Sequence, residues 1–335
     1  MDQEPLYQKG GSIMKKATKV WLITAAALVL IGCVLFAGVA ALLKWDFTKL
    51  ATVQYETNTH EISEAFDCIS INSDTADIEF VLSESGNCEV VCFDEENLRH
   101  SVSVEDGTLT IELIDERSVM DHVNIGIGVG SSRITVYLPK TEYTSLLIRE
   151  STGYIEMPAD FSFKDVDISL STGDVDFGAS ASGLLKIRTS TGQIHAQNLS
   201  AGELDLTAST GNVTVSGVSC EGDVRVHVTT GKVNLTDLAC KNVITSGNTG
   251  DIFMKNVLAS ETFSIERSTG DVAFDACDAA EIFVTTDTGD VSGTLLSDKV
   301  FLTRTDTGDV DVPKTITGGR CEITTDTGDI RLRLA

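Results

Sequence analysis

"GELDLTASTGNVTVSGVSCEGDVRVHVTTG", residues 202–231, decides how this 335-residue chain is read. Leu204, Leu206 and Ala208 alternate with polar residues, a Thr-Gly pair follows, and Val213 and Val215 resume the alternation. A second turn leads to Val224, Val226, Val228 and the next Thr-Gly. Alternation with a period of two marks strands with one buried face. The pair recurs at Thr152, Thr172, Thr191, Thr210, Thr230, Thr249, Thr269, Thr288, Thr307 and Thr327, always 19 or 20 residues apart. Ten copies at so narrow a spacing predict a stack of equal units, each with two strands and two turns.

Constant unit length favours coils over hairpins, because each coil must match the perimeter of its neighbour. The fold class is therefore all-β, a parallel β-solenoid of about ten coils, roughly 50 Å long at ~4.8 Å per coil. Right-handed winding is the expectation for parallel crossovers. Gly153, Gly173, Gly192, Gly211, Gly231, Gly250, Gly270, Gly289, Gly308 and Gly328 are read as structural turn residues, since a corner with positive φ favours glycine. The Ser, Thr, Asn or Asp two places before each glycine suits turn hydrogen bonding.

Working outward, "CISINSDTADIEF" at residues 68–80 is a degenerate copy of the box, with Ala76 in place of glycine. Residues 103–113 read as a hairpin about Asp106-Gly107, and 133–139 as a further strand. Residues 120–132, with Gly126, Gly128 and Gly130, read as a loop; a strand follows where a dinucleotide site needs a helix. Residues 20–43 are 24 residues without a charge, enough to cross a bilayer core of roughly 30 Å. Lys9, Lys15, Lys16 and Lys19 precede them and place the N-terminus inside. Small residues at 37–41 would suit signal cleavage, and "LIGC" at residues 30–33 resembles a lipoprotein box with Cys33 as the lipidated residue; the length of the apolar run favours an uncleaved anchor. The expected organisation is a cytoplasmic tail (1–19), a transmembrane anchor (20–43), a linker (44–61), an irregular N-terminal β region (62–140) capping the first coil, and the solenoid (141–335). That organisation makes a single-pass cell-membrane protein with an extracytoplasmic C-terminal domain.

Acidic residues outnumber basic ones 50 to 25, a formal charge of −25. Nucleic acid is excluded as a partner, because phosphate contacts need clustered Lys and Arg. Of eight cysteines Cys33 lies in the anchor, and the other seven show no zinc spacing. Cys220 and Cys240 sit at equivalent places in successive units, where a bridge is conceivable, but core-filling thiols are the simpler reading.

The boxes "TTDTGDV" (285–291), "RTDTGDV" (304–310) and "TTDTGDI" (324–330) hold the Asp-Thr-Gly triplet of aspartic proteases. Those enzymes need two such loops facing across a pseudo-twofold axis, whereas these boxes stack side by side. Asp287, Asp290, Asp306, Asp309, Asp326 and Asp329 form an acidic edge that calcium, with its need for six to eight oxygens, would take. Two charges about 5 Å apart in water repel by only roughly 0.8 kcal/mol, so a solvated edge also stands without an ion. The T-x-T pairs resemble an ice-binding face, but turn chemistry explains their threonines better. His60, His100, His122, His195 and His227 are scattered, no nucleophile–base constellation is visible, and no coil carries an inserted loop to build a cleft. Neither catalytic residues nor a cofactor are expected beyond the calcium candidate.

The anchor, the "ISINSDTADIEF" segment and the serial STGDV and DTGDV strands resemble the bacterial membrane-anchored "putative adhesin" domain of unknown function, of the Firmicutes type, over about residues 60–335. The resemblance implies an all-β, solenoid-like exterior domain and supplies no active site. The expected function is a non-catalytic, adhesin-like surface for a protein or glycan. The alternative is an accessory of an envelope-stress or signalling system touching a partner on its own cell, which the short linker favours. "DIRLRLA", residues 329–335, ends the chain without an obvious cap, so the C-terminal coil is expected to be blunted by Arg331 and Arg333 or to associate end to end with another copy.

Overall fold

The computed structural model describes residues 16–42, 44–45, 54–117 and 131–335. Met120, His122 and the glycines of the 120–130 stretch lie outside the described residues, as does the stretch 1–15. The chain divides into two units, residues 1–53 with 125–129, and residues 54–124 with 130–335. The described part of the first is one helix, α1 (Lys16–Leu42). Its segment Lys19–Leu42, with mean hydropathy 2.7, is long and apolar enough to cross a membrane.

The second unit is a parallel β-solenoid. One internal column shows its construction: Ile134, Ile78, Ile155, Val175, Ile194, Val213, Val233, Ile252, Val272, Val291, Ile330 and Val310 pair successively in parallel register. β-branched side chains suit this site, because their stiff χ1 packs well on a pleated face. The threonines of all ten boxes stack the same way, and the degenerate box joins them through the bridge Thr75–Thr152. At each box a Cβ would collide with a backbone carbonyl oxygen one level along the stack: that of Gly192 for Gly211, and that of Ala76 for Gly153. Glycine is therefore required by close approach of the backbones as well as by φ, which is 145° at Gly211.

Each coil has three faces, not the two strands expected from the alternation. A third run of pairs, such as Ser200–Ser219 and Val218–Leu238, follows a second corner where Asn198, Gly217, Asp237, Asn256 and Ala276 adopt positive φ. This corner is made by four residue types at five positions, so no fixed motif announces it.

The order of coils departs from the order of the chain at both ends. At the start, β1 (Tyr55–Ile62) occupies part of the stretch read as linker and pairs antiparallel with β4 (Cys88–Glu95). Its alternation is polar and its partner is distant in sequence, which hid it. β2 (Cys68–Asn72) and β3 (Asp77–Leu82) form a coil inside the stack, while β5 (Leu98–Glu105) leads antiparallel into β6 (Thr108–Asp115). β6 and β7 (Arg133–Leu138) then pair outside β2 and β3. β8 (Glu142–Thr152) and β9 (Ile155–Met157) pair on the other side of β2 and β3. The antiparallel strands β4 and β5 cover β7 and β6, and a reversed strand cannot continue a parallel coil.

At the far end the strand Gly319–Thr327 pairs with residues 282–288 on one side and with Lys299–Thr307 on the other. The last strand, Ile330–Leu334, likewise lies between Val291–Leu295 and Val310–Asp311. The final coil is thus inserted behind the penultimate one. All strands stay parallel while the axial step reverses, so the last coil winds with the opposite hand. Gly318 and Gly319 permit the insertion, since a Cβ on either would strike the carbonyl oxygens of Asp298 and Ala280. The expectation that the C-terminal coil ends the rod is corrected: residues 299–311 end it. Arg331 and Arg333 blunt nothing; they pair with Asp329 and Asp311.

Candidate functional site

The capped end holds a buried polar cluster gathered from three strands and the corner after β2. Asp94 comes from β4, His100 from β5, Glu150 from β8, and Ser73 follows β2 at the degenerate corner. His100 Nδ1 lies 2.7 Å from Asp94 Oδ1, and the His100 backbone N–H donates to Asp94 Oδ2 at 2.8 Å. His100 Nε2 lies 2.9 Å from Ser73 Oγ. Serine, histidine and aspartate thus stand in the order of a hydrolytic triad, which no spacing in the sequence announces. A nucleophile needs a substrate path, yet Ser73 is 8% exposed, His100 4% and Asp94 0%. Glu150 is buried as well, and its Oε2 has no hydrogen-bond partner. Burial pushes its carboxyl up to about 7, against the opposing pull of Ser73 and the backbone amides of Thr152 and Ala76.

Cys92, on the same strand as Asp94, brings its thiol within 4.8 Å of ligand atoms of Asp94 and His100, a set able to hold a transition metal. Burial, with Asp94 second, raises the Cys92 thiol to about 12. The seven cysteines outside the helix are free thiols, Cys220 and Cys240 included. Burial raises both of those, Cys240 to about 12, as befits core-filling groups.

The acidic edge separates into two columns. In the column after the glycine, each carboxylate accepts the backbone N–H of its neighbour: Asp290 N–H donates to Asp271, Asp329 N–H to Asp290 and Asp309 N–H to Asp329, at 2.9, 2.7 and 2.7 Å. The bond from Asp309 is the first cause holding the Asp329 carboxyl below its usual range. One oxygen of Asp290 and one of Asp329 are committed to this ladder. Asp287, Asp326 and Asp306 form the other column, facing solvent in that spatial order, with Arg304 on Asp306 at 3.0 Å.

The T-x-T pairs are split between inside and outside. Thr325 and Thr305 point inward and donate to the carbonyl oxygens of Gly289 and Gly328 at 3.1 and 2.9 Å. The second threonine of each pair belongs to the stacked ladder. His195 and His227 stay apart, as their different coils require: His195 faces Asp176 at 3.1 Å, and His227 faces Ser246 at 2.9 Å.

A signal for the buried cluster did exist. The residue two places before each box threonine faces inward, and there Glu150 and Ser73 replace the Leu170, Ala208 and Val228 of other coils. Their partners Asp94 and His100 carry no comparable mark.

The profile described as Toastrack DUF4097 matches residues 66–241 and 221–335. The chain belongs to the Toastrack DUF4097 family. Its fold is a β-solenoid, as found here. A search of curated proteins returned no match. Among solved structures, a "putative adhesin" from Bacteroides fragilis is similar at 16% identity, covering 84% of this chain and 97% of its own, with a TM-score of 0.40. A "putative adhesin" from Parabacteroides distasonis has 12% identity, 84% and 98% coverage and a TM-score of 0.45. A "putative lipid binding protein" from the same organism has 14% identity, 84% and 98% coverage and a TM-score of 0.31.

Proposed function

We propose that this Toastrack protein is held in the cell membrane by residues 20–43, N-terminus inside, and displays its solenoid outside the cell as a non-catalytic, adhesin-like binding surface. The observation that carries this reading is the contrast between polar groups. The Ser73–His100–Asp94 cluster is sealed in the capped end, while the exposed polar groups of the solenoid repeat coil after coil in columns. A repeated column offers many weak, equivalent contacts whose affinities multiply through avidity, and a net charge of −25 favours basic or uncharged partners, a protein or a glycan. The acidic column Asp287, Asp326 and Asp306 is the place where calcium would bridge to such a partner.

The second reading, an accessory of an envelope-stress or signalling system, rests on the short stretch between α1 and β1, which favours a partner in the same membrane. Photo-crosslinking from solenoid positions on intact host cells, with captured proteins identified by mass spectrometry, separates the two. Capture of foreign or matrix material supports adhesion. Capture confined to a sensor kinase or transporter of the same membrane replaces it with the accessory role.

A further inference from the structure

A charged side chain without a counter-charge lies inside the middle of the stack. The internal column through Ile187, Leu206, Val226, Ile265 and Val284 is aliphatic except at Thr245. Two places further along the strands, a second column passes Gly247, Arg267 and Thr286 in register. Arg267 is 3% exposed. Its Nη1 donates to the carbonyl oxygen of Val228, two coils back, at 2.8 Å. Its Nε and Nη2 have no partner, and neither do the buried hydroxyls of Thr245 and Thr286. Gly247 leaves the room: a Cβ there would collide with Arg267 Nη1, so the guanidinium lies back across a position that has no side chain.

The guanidinium keeps its charge under all conditions the protein meets. An isolated buried charge is among the most costly groups a fold can hold. Burial is the first influence on Arg267, and Asp251 the one carboxylate that opposes it. Asp251 is engaged elsewhere, with Lys232 Nζ at 2.9 Å and the Asp271 N–H at 3.3 Å. The unmet groups are two guanidinium nitrogens, with three N–H donors between them, and two hydroxyls on the coils either side that are each free to rotate a proton. Such a set suits a small anion: water would satisfy individual donors but leave the charge without a partner.

We infer that this part of the solenoid is a binding site for a small monovalent anion, with chloride the natural occupant. The anion contacts Arg267 Nε and Nη2, with the hydroxyls of Thr286 and Thr245 completing its shell. The unmet atoms are closed to solvent, which shuts out a carboxylate attached to a larger body. A surface groove of about 340 Å³ lined by Ser246, Gly247, Arg267 and Ser268 runs over this part of the stack, with neither Thr245 nor Thr286 on its wall, so an anion entering from it needs a local opening of the coil. Glu266 and Asp287 on its rim repel anions in proportion to their charge, so they disfavour a polyanion more than a single charge.

Two experiments on the full chain in detergent test this. In crystals soaked with bromide, an anomalous peak is expected in contact with Arg267 Nε and Nη2. In thermal melts at equal ionic strength, sodium chloride is expected to raise the melting temperature by about 2–4 °C over sodium gluconate. Arg267→Met removes that dependence and is expected to fold, because an apolar side chain of similar volume relieves the buried charge. Should it fail to fold, Thr286→Val keeps the shape and is expected to weaken the chloride effect. A site filled by water without an anomalous signal overturns the inference. So do identical melts of the unaltered chain in the two salts, or a chloride effect that survives in both variants.

Discussion

The two ends of the solenoid are threaded by the same manoeuvre and finished differently. At each, a three-residue connection, 139–141 or 296–298, carries the chain past a coil that lies between its flanking strands. At the capped end the antiparallel strands β4 and β5 close the outer coil, and Ile134, first in the long internal column, is 0% exposed. At the other end no described strand pairs with the outer side of Lys299–Thr307, and Val310, last in the same column, is 45% exposed. Leu302 and Ile316 in the same closing segment, residues 299–318, are exposed as well. A coil of standard length thus extends the stack, whereas stopping it takes a reversed strand.

The largest effect expected from this contrast is on stability. Ile134→Ala is expected to cost about 3 kcal/mol and Val310→Ala less than about 1 kcal/mol, because only the first opens a cavity in a closed core. Equal losses in denaturant titration would show that the far end is also closed in solution.

Next comes the pH response toward neutrality, which among the described carboxyls centres on Glu150 in the capped end. Glu150 has its carboxyl raised from 4.5 to about 7 by burial, with Asp94 and His100 as the titratable groups facing it across Ser73. A raised acid favours the folded state while protonated. Its contribution is therefore complete below about pH 4.5 and lost as pH rises through about 7, on the order of 3 kcal/mol in all. Glu150→Gln is expected to hold that stability at about pH 8 and to flatten this part of the profile. A variant as pH-dependent as the unaltered chain would place the titrating group elsewhere.

Association should distinguish the ends more gently. The open edge offers unpaired backbone and apolar side chains to a second copy, so the light-scattering mass of residues 54–335 is expected to rise with concentration. Val310→Lys in the open end is expected to abolish the rise, and a strict monomer at all concentrations would remove end-to-end association. The smallest effect concerns calcium. Asp290 and Asp329 already serve backbone amides, so millimolar calcium against chelator is expected to shift the melt by less than about 1 °C. A larger shift, lost in Asp287→Ala with Asp326→Ala, would show the outer column to be a genuine ion site.

How far the site was legible follows from the range of its contacts. The Thr-Gly ladder, its glycines and the degenerate box at Thr75 were readable because each corner is a local event repeated at fixed spacing. Glu150 and Arg267 were half readable: aligning the boxes puts both in an inward-facing column, but not what they meet there. Asp94 and His100 belong to strands whose pairing joins distant parts of the chain, so their meeting with Ser73 carried no local mark.

The sequence by itself determined the coil: its length, its buried alternation, its glycine corner and the apolar helix ahead of it, all set by interactions within about twenty residues. Tertiary structure decided which coil lies beside which. Coils of equal perimeter with the same corner fit any slot in a parallel stack, so local pattern cannot rank them. The order at both ends is set by what only the assembled stack contains: the reversed strands that close one end, and the glycine pair Gly318-Gly319 that lets the last coil slip behind its predecessor.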